Sequence, residues 1–397
     1  VHQAYLAARQ KRWFSVRCTG QIFQSLLLCC SMALSTTALS ALNGCTTRSG
    51  AGREPRTVAP PKPAEKPDFS AAAEPAGVLK PQKVLHTFYA MGTEVRMTLW
   101  SAAQGATLQP TFAAAEALFN QLERQMTTWP HPGWAPSDIM RLNAAAGVRP
   151  VKISPETLEV LQQAQALSAA TDGAFDVTVG ALFDLWHFDA DLLPQLPASA
   201  RVAAALASVN YRDLVLWPQQ CKAFLRHPNM AVTLGGIAKG YALDQLAGLL
   251  QSRGCTNFLL QAGGDLFAAG RCNGAPWRVA VTDPRDVSLQ AHLGKATLEI
   301  PPQGAAFSTA GDYERGFVLH GQRYHHILDP TTGYPVRRCR SVSVVAPSAM
   351  LADALGDALF VLGADAGFLL LQRYPAAHAI IVEANGNVRS SAGWTVL

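Results

Sequence analysis

Val95, Met97 and Leu99 alternate with Glu94, Arg96 and Thr98, which predicts a half-buried strand after a kink at Gly92. From residue 111 to 127 the period changes. Ala114, Leu118, Leu122 and Met126 recur at helical spacing and predict an amphipathic helix. Residues 137–143 predict a short helix capped by Ser137. Ser154-Pro155-Glu156 opens a longer one, with Ser154 as N-cap, Pro155 in the first position and an apolar stripe of Leu158, Leu161, Ala164 and Leu167. Two more helices follow, from Ile237 to about Leu250 with a stop at Arg253-Gly254, and from Ala349 to Gly363 behind Pro347-Ser348. Residues 257–261, 277–281 and 341–345 read as strands. Strands and helices alternate without a regular βαβ rhythm, so the expected class is α+β, with mixed, mainly antiparallel sheets flanked by helices.

Residues 314–319 and 323–328 are two extended runs joined near His320-Gly321-Gln322, a hairpin signal, and Asp329-Pro330-Thr331-Thr332-Gly333 stops the second run. A two-residue loop would put Glu314 and His326 on opposite faces, whereas a three-residue loop or one bulge would bring them together. Ser308, Thr309, Ala310 and Gly311 are expected to leave backbone N–H groups open to an anion. A polar-rimmed hairpin with a half-buried histidine fits the same residues. The functional counterpart is a phosphate-bearing ligand beside His326.

The chain has 397 residues, 49% of them apolar, enough for one large or two moderate domains. Its net charge of +5 is concentrated at one end. Residues 1–44 carry Arg9, Lys11, Arg12 and Arg17 with no acid, which leaves 29 basic residues against 28 acidic beyond them and argues against a nucleic-acid footprint. Basic residues, then an apolar run over 22–42, then small residues before Cys45 read as an export signal in residues 1–45. Leu42-Asn43-Gly44-Cys45 resembles a bacterial lipobox, which implies a lipid anchor on Cys45 at the periplasmic side of a membrane. An uncleaved anchor or a soluble exported protein are the alternatives. Residues 46–83, rich in Pro, Ala, Gly and Lys, read as a disordered tether with a reach of about 35 Å, ahead of a catalytic body over 84–397. Cys221, Cys255, Cys272 and Cys339 lack any C-x-x-C spacing, so they are buried thiols or one or two disulfides rather than a zinc site.

Candidate chemistry sits at three helix or loop starts. In residues 171–182, Asp176 and Thr178 lie in a loop of small and acidic groups, where turn chemistry competes with ligand contact. Gly235-Gly236 precede the third long helix, whose free N–H groups and first-turn Lys239 suit an anion. Asp353 and Asp357 stand four apart on one face of the last helix. They are either a solvated pair on its rim or the ligands of a hard cation, since Mg²⁺ favours one or two carboxylates plus substrate phosphates.

Taken together, A-M-G-T at Ala90, D-G-A-F-D-V-T-V-G at Asp172, L-G-G-I-A-K-G-Y-A-L-D at Leu234, A-G-G-D at Ala262, S-T-A-G-D-Y-E at Ser308, H-I-L-D-P-T-T-G at His326 and A-D-A-L-G-D-A-L-F-V-L-G at Ala352 resemble the ApbE-type flavin transferases over nearly all of residues 86–382. That resemblance implies an ApbE-like (T-fold-like) α+β fold with a flavin site between two lobes. It implies Mg²⁺-dependent transfer of FMN from FAD to a Thr or Ser hydroxyl of an exported acceptor, of the redox-pump subunit type, with release of AMP. Carried over, Gly236, Asp353 and Asp357 would hold the metal. Met91, Asp176, Lys239, Asp244, Glu314 and His326 would touch FAD, and His326 would be the general base, with His325 on the other strand face. Asp357 stands where the family usually has Thr, and Thr233 where an Asp often precedes L-G-G. A periplasmic FAD pyrophosphatase or a flavin-binding lipoprotein would use the same pocket.

Overall fold

The structure is a computed structural model that describes residues 16–17, 80–103, 105–186, 188, 195–286, 288 and 291–394. The rest of the export signal, Cys45 and nearly all of the tether lie outside the described residues. Val16–Arg17 pair antiparallel with the strand Ala275–Thr282.

An eight-stranded antiparallel sheet carries the molecule. Its strand order is Val388–Ser390, His378–Glu383, Cys339–Ala346, Ala305–Gly311, Asp265–Ala269, Phe258–Ala262, Thr93–Ser101 and Gln82–Ala90. Period-two alternation sorts each strand between two cores. Val95, Met97, Leu99, Phe258, Leu260, Phe267, Ala306 and Val342 face a core shared with helices, while Leu259, Leu266, Phe307, Val345 and Ile380 face the other way. The helices Gln109–Met126, Ala238–Ser252 and Ala349–Leu362 supply Phe119, Leu243 and Leu359 to the first core. The second is closed by the antiparallel strands Ala275–Thr282 and His292–Ile300, through Trp277, Val279, Leu293 and Ile300. With both faces covered, the central strands are mostly apolar, and Phe258–Ala262 is buried at every position, Gln261 included. The fold class is the α+β arrangement expected from the sequence.

Most predicted helix ends hold because their signals are local. Ser137 accepts from Met140 N, Ser154 from Thr157 N and Ser348 from Leu351 N. Gly254 takes φ +77° just past the helix Ala238–Ser252, the left-handed turn that glycine allows most freely.

Two expectations need correction. The segment before Gly92 is itself a strand, Gln82–Ala90, which starts inside the expected tether. It pairs with Thr93–Ser101 across a two-residue turn in which Met91 (φ 52°) and Gly92 (φ 70°) are both left-handed. The run Ser308-Thr309-Ala310-Gly311 is not an open anion nest. It ends a central strand laddered to Cys339–Ala346 along its length and to Asp265–Ala269 through Ser308. Cys272 is disulfide-bonded, whereas Cys221, Cys255 and Cys339 are free thiols.

Candidate active site

The helices Ala238–Ser252 and Ala349–Leu362 run antiparallel, packed by their first turns. Gly240 lets them meet, because any Cβ there would collide with the Ala349 carbonyl. At this contact Asp353 Oδ2 accepts from Gly240 N at 3.2 Å, so one of the free amides expected at the helix start is met by a carboxylate of the neighbouring helix. One turn along, Asp244 Oδ1 and Oδ2 accept from Ala349 N and Met350 N at 2.7 and 2.9 Å.

Lys239 lies between acids. Its Nζ is 3.1 Å from Asp265 Oδ2 and 3.3 Å from Asp353 Oδ2, and it donates to the Gly235 carbonyl at 2.9 Å. Burial works against its charge, but Asp265 and then Asp353 and Asp357 outweigh that and push its pKa up, so it stays an ammonium. Burial raises Asp353 to about 8, with Asp265 adding to the rise and Lys239 opposing it. It raises Asp357 to about 7, with Lys239 opposing. Asp265 opens its strand after the Gly263-Gly264 turn and receives the Ser308 hydroxyl at 2.5 Å.

These groups form the floor of a cavity of about 1410 Å³, lined by Met91, Trp129, Phe175, Asp176, Gly236, Lys239, Asp265, Glu314, Arg315, His326, Asp353 and Asp357 among others. Drug-sized ligands fill clefts of roughly 300–1,000 Å³, so this one has room for a larger molecule. The sequence-predicted residues Met91, Asp176, Gly236, Lys239, Glu314, His326, Asp353 and Asp357 are therefore gathered around one space.

Asp244 is not on that wall. Its two oxygens cap the helix Ala349–Leu362, and burial raises its pKa to about 6 against the opposing pull of those N–H groups. Asp176 lines the cavity, yet its oxygens also serve the local turn. Oδ1 receives Thr178 N and Oγ1 at 2.8 and 2.6 Å, and Oδ2 receives Tyr211 N at 2.8 Å.

The hairpin Gly316–Leu319 and Gln322–His325 has a two-residue loop, with His320 and Gly321 both at positive φ. That register alone would separate Glu314 from His326, but both reach the cavity because the chain leaves the ladder above Arg315 and turns, Glu314 N lying 3.5 Å from the Gly311 carbonyl. His326 Nδ1 is 3.3 Å from the Arg315 carbonyl, which can only accept, so Nδ1 carries the proton and Nε2 is left as a base. Burial first, then Arg315, lowers its pKa to about 3. His325 turns away, its Nε2 donating to the Val336 carbonyl at 2.6 Å and its ring edge-on to Phe360.

Sequence reasoning passed over Asp265. Its signal was the acid directly after a glycine pair between two strands, within A-G-G-D.

The floor suits a divalent cation. Asp265, Asp353 and Asp357 outnumber Lys239 by two negative charges when ionised, and a Cβ at Gly236 would overlap the Asp357 carboxylate, so only glycine leaves that corner free. Among the described residues no three His, Cys, Asp or Glu side chains form a metal centre by themselves. Such a floor fits an ion that takes one or two carboxylates and completes its shell with backbone, water and phosphate oxygens.

The sequence profile of the ApbE family matches residues 91–381. An FAD:protein FMN transferase of Klebsiella pneumoniae is 33% identical over 302 residues, covering 75% of this chain and 83% of that protein. One from Vibrio cholerae is 31% identical over 321 residues, covering 80% and 93%. Among solved structures, the flavin transferase ApbE from Vibrio cholerae matches with a TM-score of 0.69 at 30% identity, over 79% of this chain and 98% of that one. The ApbE protein of Thermotoga maritima matches with a TM-score of 0.68 at 31% identity, over 78% and 97%.

Proposed function

The chain belongs to the ApbE family, a family of transferases, and from that premise we propose that it moves FMN from FAD to a Thr or Ser hydroxyl of an exported protein. The observation that carries the reading is the cavity floor, where Lys239 and three carboxylates lie below a base-ready histidine.

In this reaction the acceptor hydroxyl attacks the FMN phosphorus of FAD, the bond from that phosphorus to the bridging oxygen breaks, and AMP leaves. His326 Nε2 takes the hydroxyl proton, as its tautomer allows. Lys239 sets a positive charge where the diphosphate arrives. Asp353, Asp357 and the Gly236 carbonyl would hold Mg²⁺, which when bound supplies charge neutralisation on the diphosphate oxygens. Met91, Trp129 and Phe175 give the ring systems an apolar wall.

The test is to incubate the full chain with FAD, Mg²⁺ and a candidate acceptor and to read the acceptor's mass. One esterified FMN per acceptor with matching AMP supports transfer. FMN and AMP released beside an unmodified acceptor would make the protein a pyrophosphatase, and no AMP at all would leave only flavin binding. The same reading puts the protein on the periplasmic side of a bacterial membrane, held by a lipid on Cys45. Membrane association unchanged in Cys45→Ala would sink that placement.

A further inference from the structure

Flavin transfer as described leaves Asp265 without a task, although it is 3% exposed on the cavity floor. Its Oδ1 is fixed by the Ser308 hydroxyl at 2.5 Å, and its Oδ2 faces Lys239 Nζ at 3.1 Å. The same ammonium is 3.3 Å from Asp353 Oδ2. One lysine is thus shared between two carboxylates, of which Asp353 is assigned to the metal.

The geometry points to Asp265 as the positioning residue for Lys239: it holds the ammonium to the floor so that Asp353 is free for the divalent ion. The inference rests on the metal-assisted reading above. An ion entering beside Asp353 and Asp357 repels the ammonium. Without Asp265, the acids left to Lys239 are the two that the ion needs, so lysine and ion compete for them. With Asp265 present, Lys239 keeps an anionic partner whose direction is set by Ser308 and by packing, and it stays where the diphosphate of FAD would meet it.

Asp265 could instead act on the ion directly, as a ligand or through its charge alone. A double-mutant cycle on metal binding separates the two. Binding of Mg²⁺, without FAD, is measured by calorimetry on the full chain for wild type, Asp265→Asn, Lys239→Met and the double variant. Asp265→Asn is expected to weaken Mg²⁺ about tenfold, and in the Lys239→Met background to change it by less than about threefold. Ser308→Ala, which keeps the charge but frees the carboxylate, should weaken Mg²⁺ about two- to threefold and serves if Asp265→Asn fails to fold.

An equal loss from Asp265→Asn in both backgrounds, or none in wild type, overturns the assignment. If wild type meanwhile binds Mg²⁺ and flavinylates its acceptor, the proposed function survives that result. A wild type that binds no divalent ion overturns the metal part of the function and this inference together.

Discussion

Asp244 and Asp353 each cap the helix that carries the other. Asp244, on the helix Ala238–Ser252, receives the N–H groups of Ala349 and Met350, and Asp353, on the helix Ala349–Leu362, receives that of Gly240. The two helix starts are therefore locked together, with the cavity beside Asp353. Asp353 differs from its counterpart in sharing its carboxylate with Lys239. An acid that neutralises a helix start from the facing helix fixes both the crossing point and the rotation of the pair.

Asp244→Ala should accordingly cost about 1–2 kcal/mol of stability, the usual loss for a removed cap. Because Asp353 lies in the next turn of the helix that Asp244 holds, Mg²⁺ affinity should fall as well, although Asp244 is not on the cavity wall. Thermal melting and calorimetry on the same variant check both. A destabilised variant with wild-type Mg²⁺ affinity would separate the cap from the metal site.

Gly235 and Gly236 are adjacent and should respond unequally. A Cβ on Gly235 meets only Thr233 Oγ1, at 3.8 Å, whereas one on Gly236 overlaps the Asp357 carboxylate. Gly236→Ala should weaken Mg²⁺ at least about tenfold, the scale on which displaced ligand-orienting contacts act. Gly235→Ala should stay within about twofold of wild type on the same scale. Equal effects of the two substitutions, read by calorimetry, would argue against a metal in that corner.

How far the sequence announced this site follows from the range of the interactions. Helix ends were legible because Ser154, Ser348 and Gly254 act within one turn of where they stand. The cavity residues were legible as a set, through motifs in order along the chain. The partner of each acid was not. Asp244 meets its donors 105 and 106 residues away, and Asp265 meets Ser308 across 43, distances over which no local pattern carries information. The strand Gln82–Ala90 was missed because it is an edge, with Leu85 and Tyr89 facing outward against the expected polar alternation. Hairpin parity assigned faces correctly only while the ladder lasted, and Glu314 lies beyond its end.

Asp353 and Asp357 give the metal-free protein an unusual pH dependence. Their pKa values in the fold are about 8 and about 7 against an ordinary 3.8, so the folded chain holds protons that the unfolded chain has already released. Stability should therefore fall as pH rises through 7 and 8. His326, neutral in the fold and largely neutral when unfolded above pH 6.5, adds little in that window. Bound Mg²⁺ favours the ionised carboxylates and should flatten the slope. Melting temperatures at pH 6.5, 7.5 and 8.5, with chelator and with Mg²⁺, check this. A metal-free protein equally stable across the range would mean that both acids are already ionised at pH 6.5.

The neighbouring histidines make the last prediction, because they differ in what their nitrogens face. His326 has its Nδ1 proton on the Arg315 carbonyl and its pKa lowered to about 3 by burial and by Arg315, so its Nε2 is a free base at every working pH. A pKa so low makes His326 a weak base in the ligand-free protein, and the negative charge of the bound diphosphate would raise it toward the range in which it can take the acceptor's proton. His326→Gln should lower the rate of FMN transfer by about 10²–10⁴-fold, the span of general base catalysis, with the KM for FAD changed only a few-fold. His325, whose Nε2 is committed to Val336 and whose Nδ1 receives Ile327 N at 3.3 Å, is structural. His325→Gln should lower the melting temperature and leave kcat within a few-fold, since a lost buried hydrogen bond costs about 1–3 kcal/mol and nothing in the reaction. Single-turnover transfer at saturating FAD reads the contrast directly, and a His326→Gln protein with an undiminished rate removes the base from the mechanism.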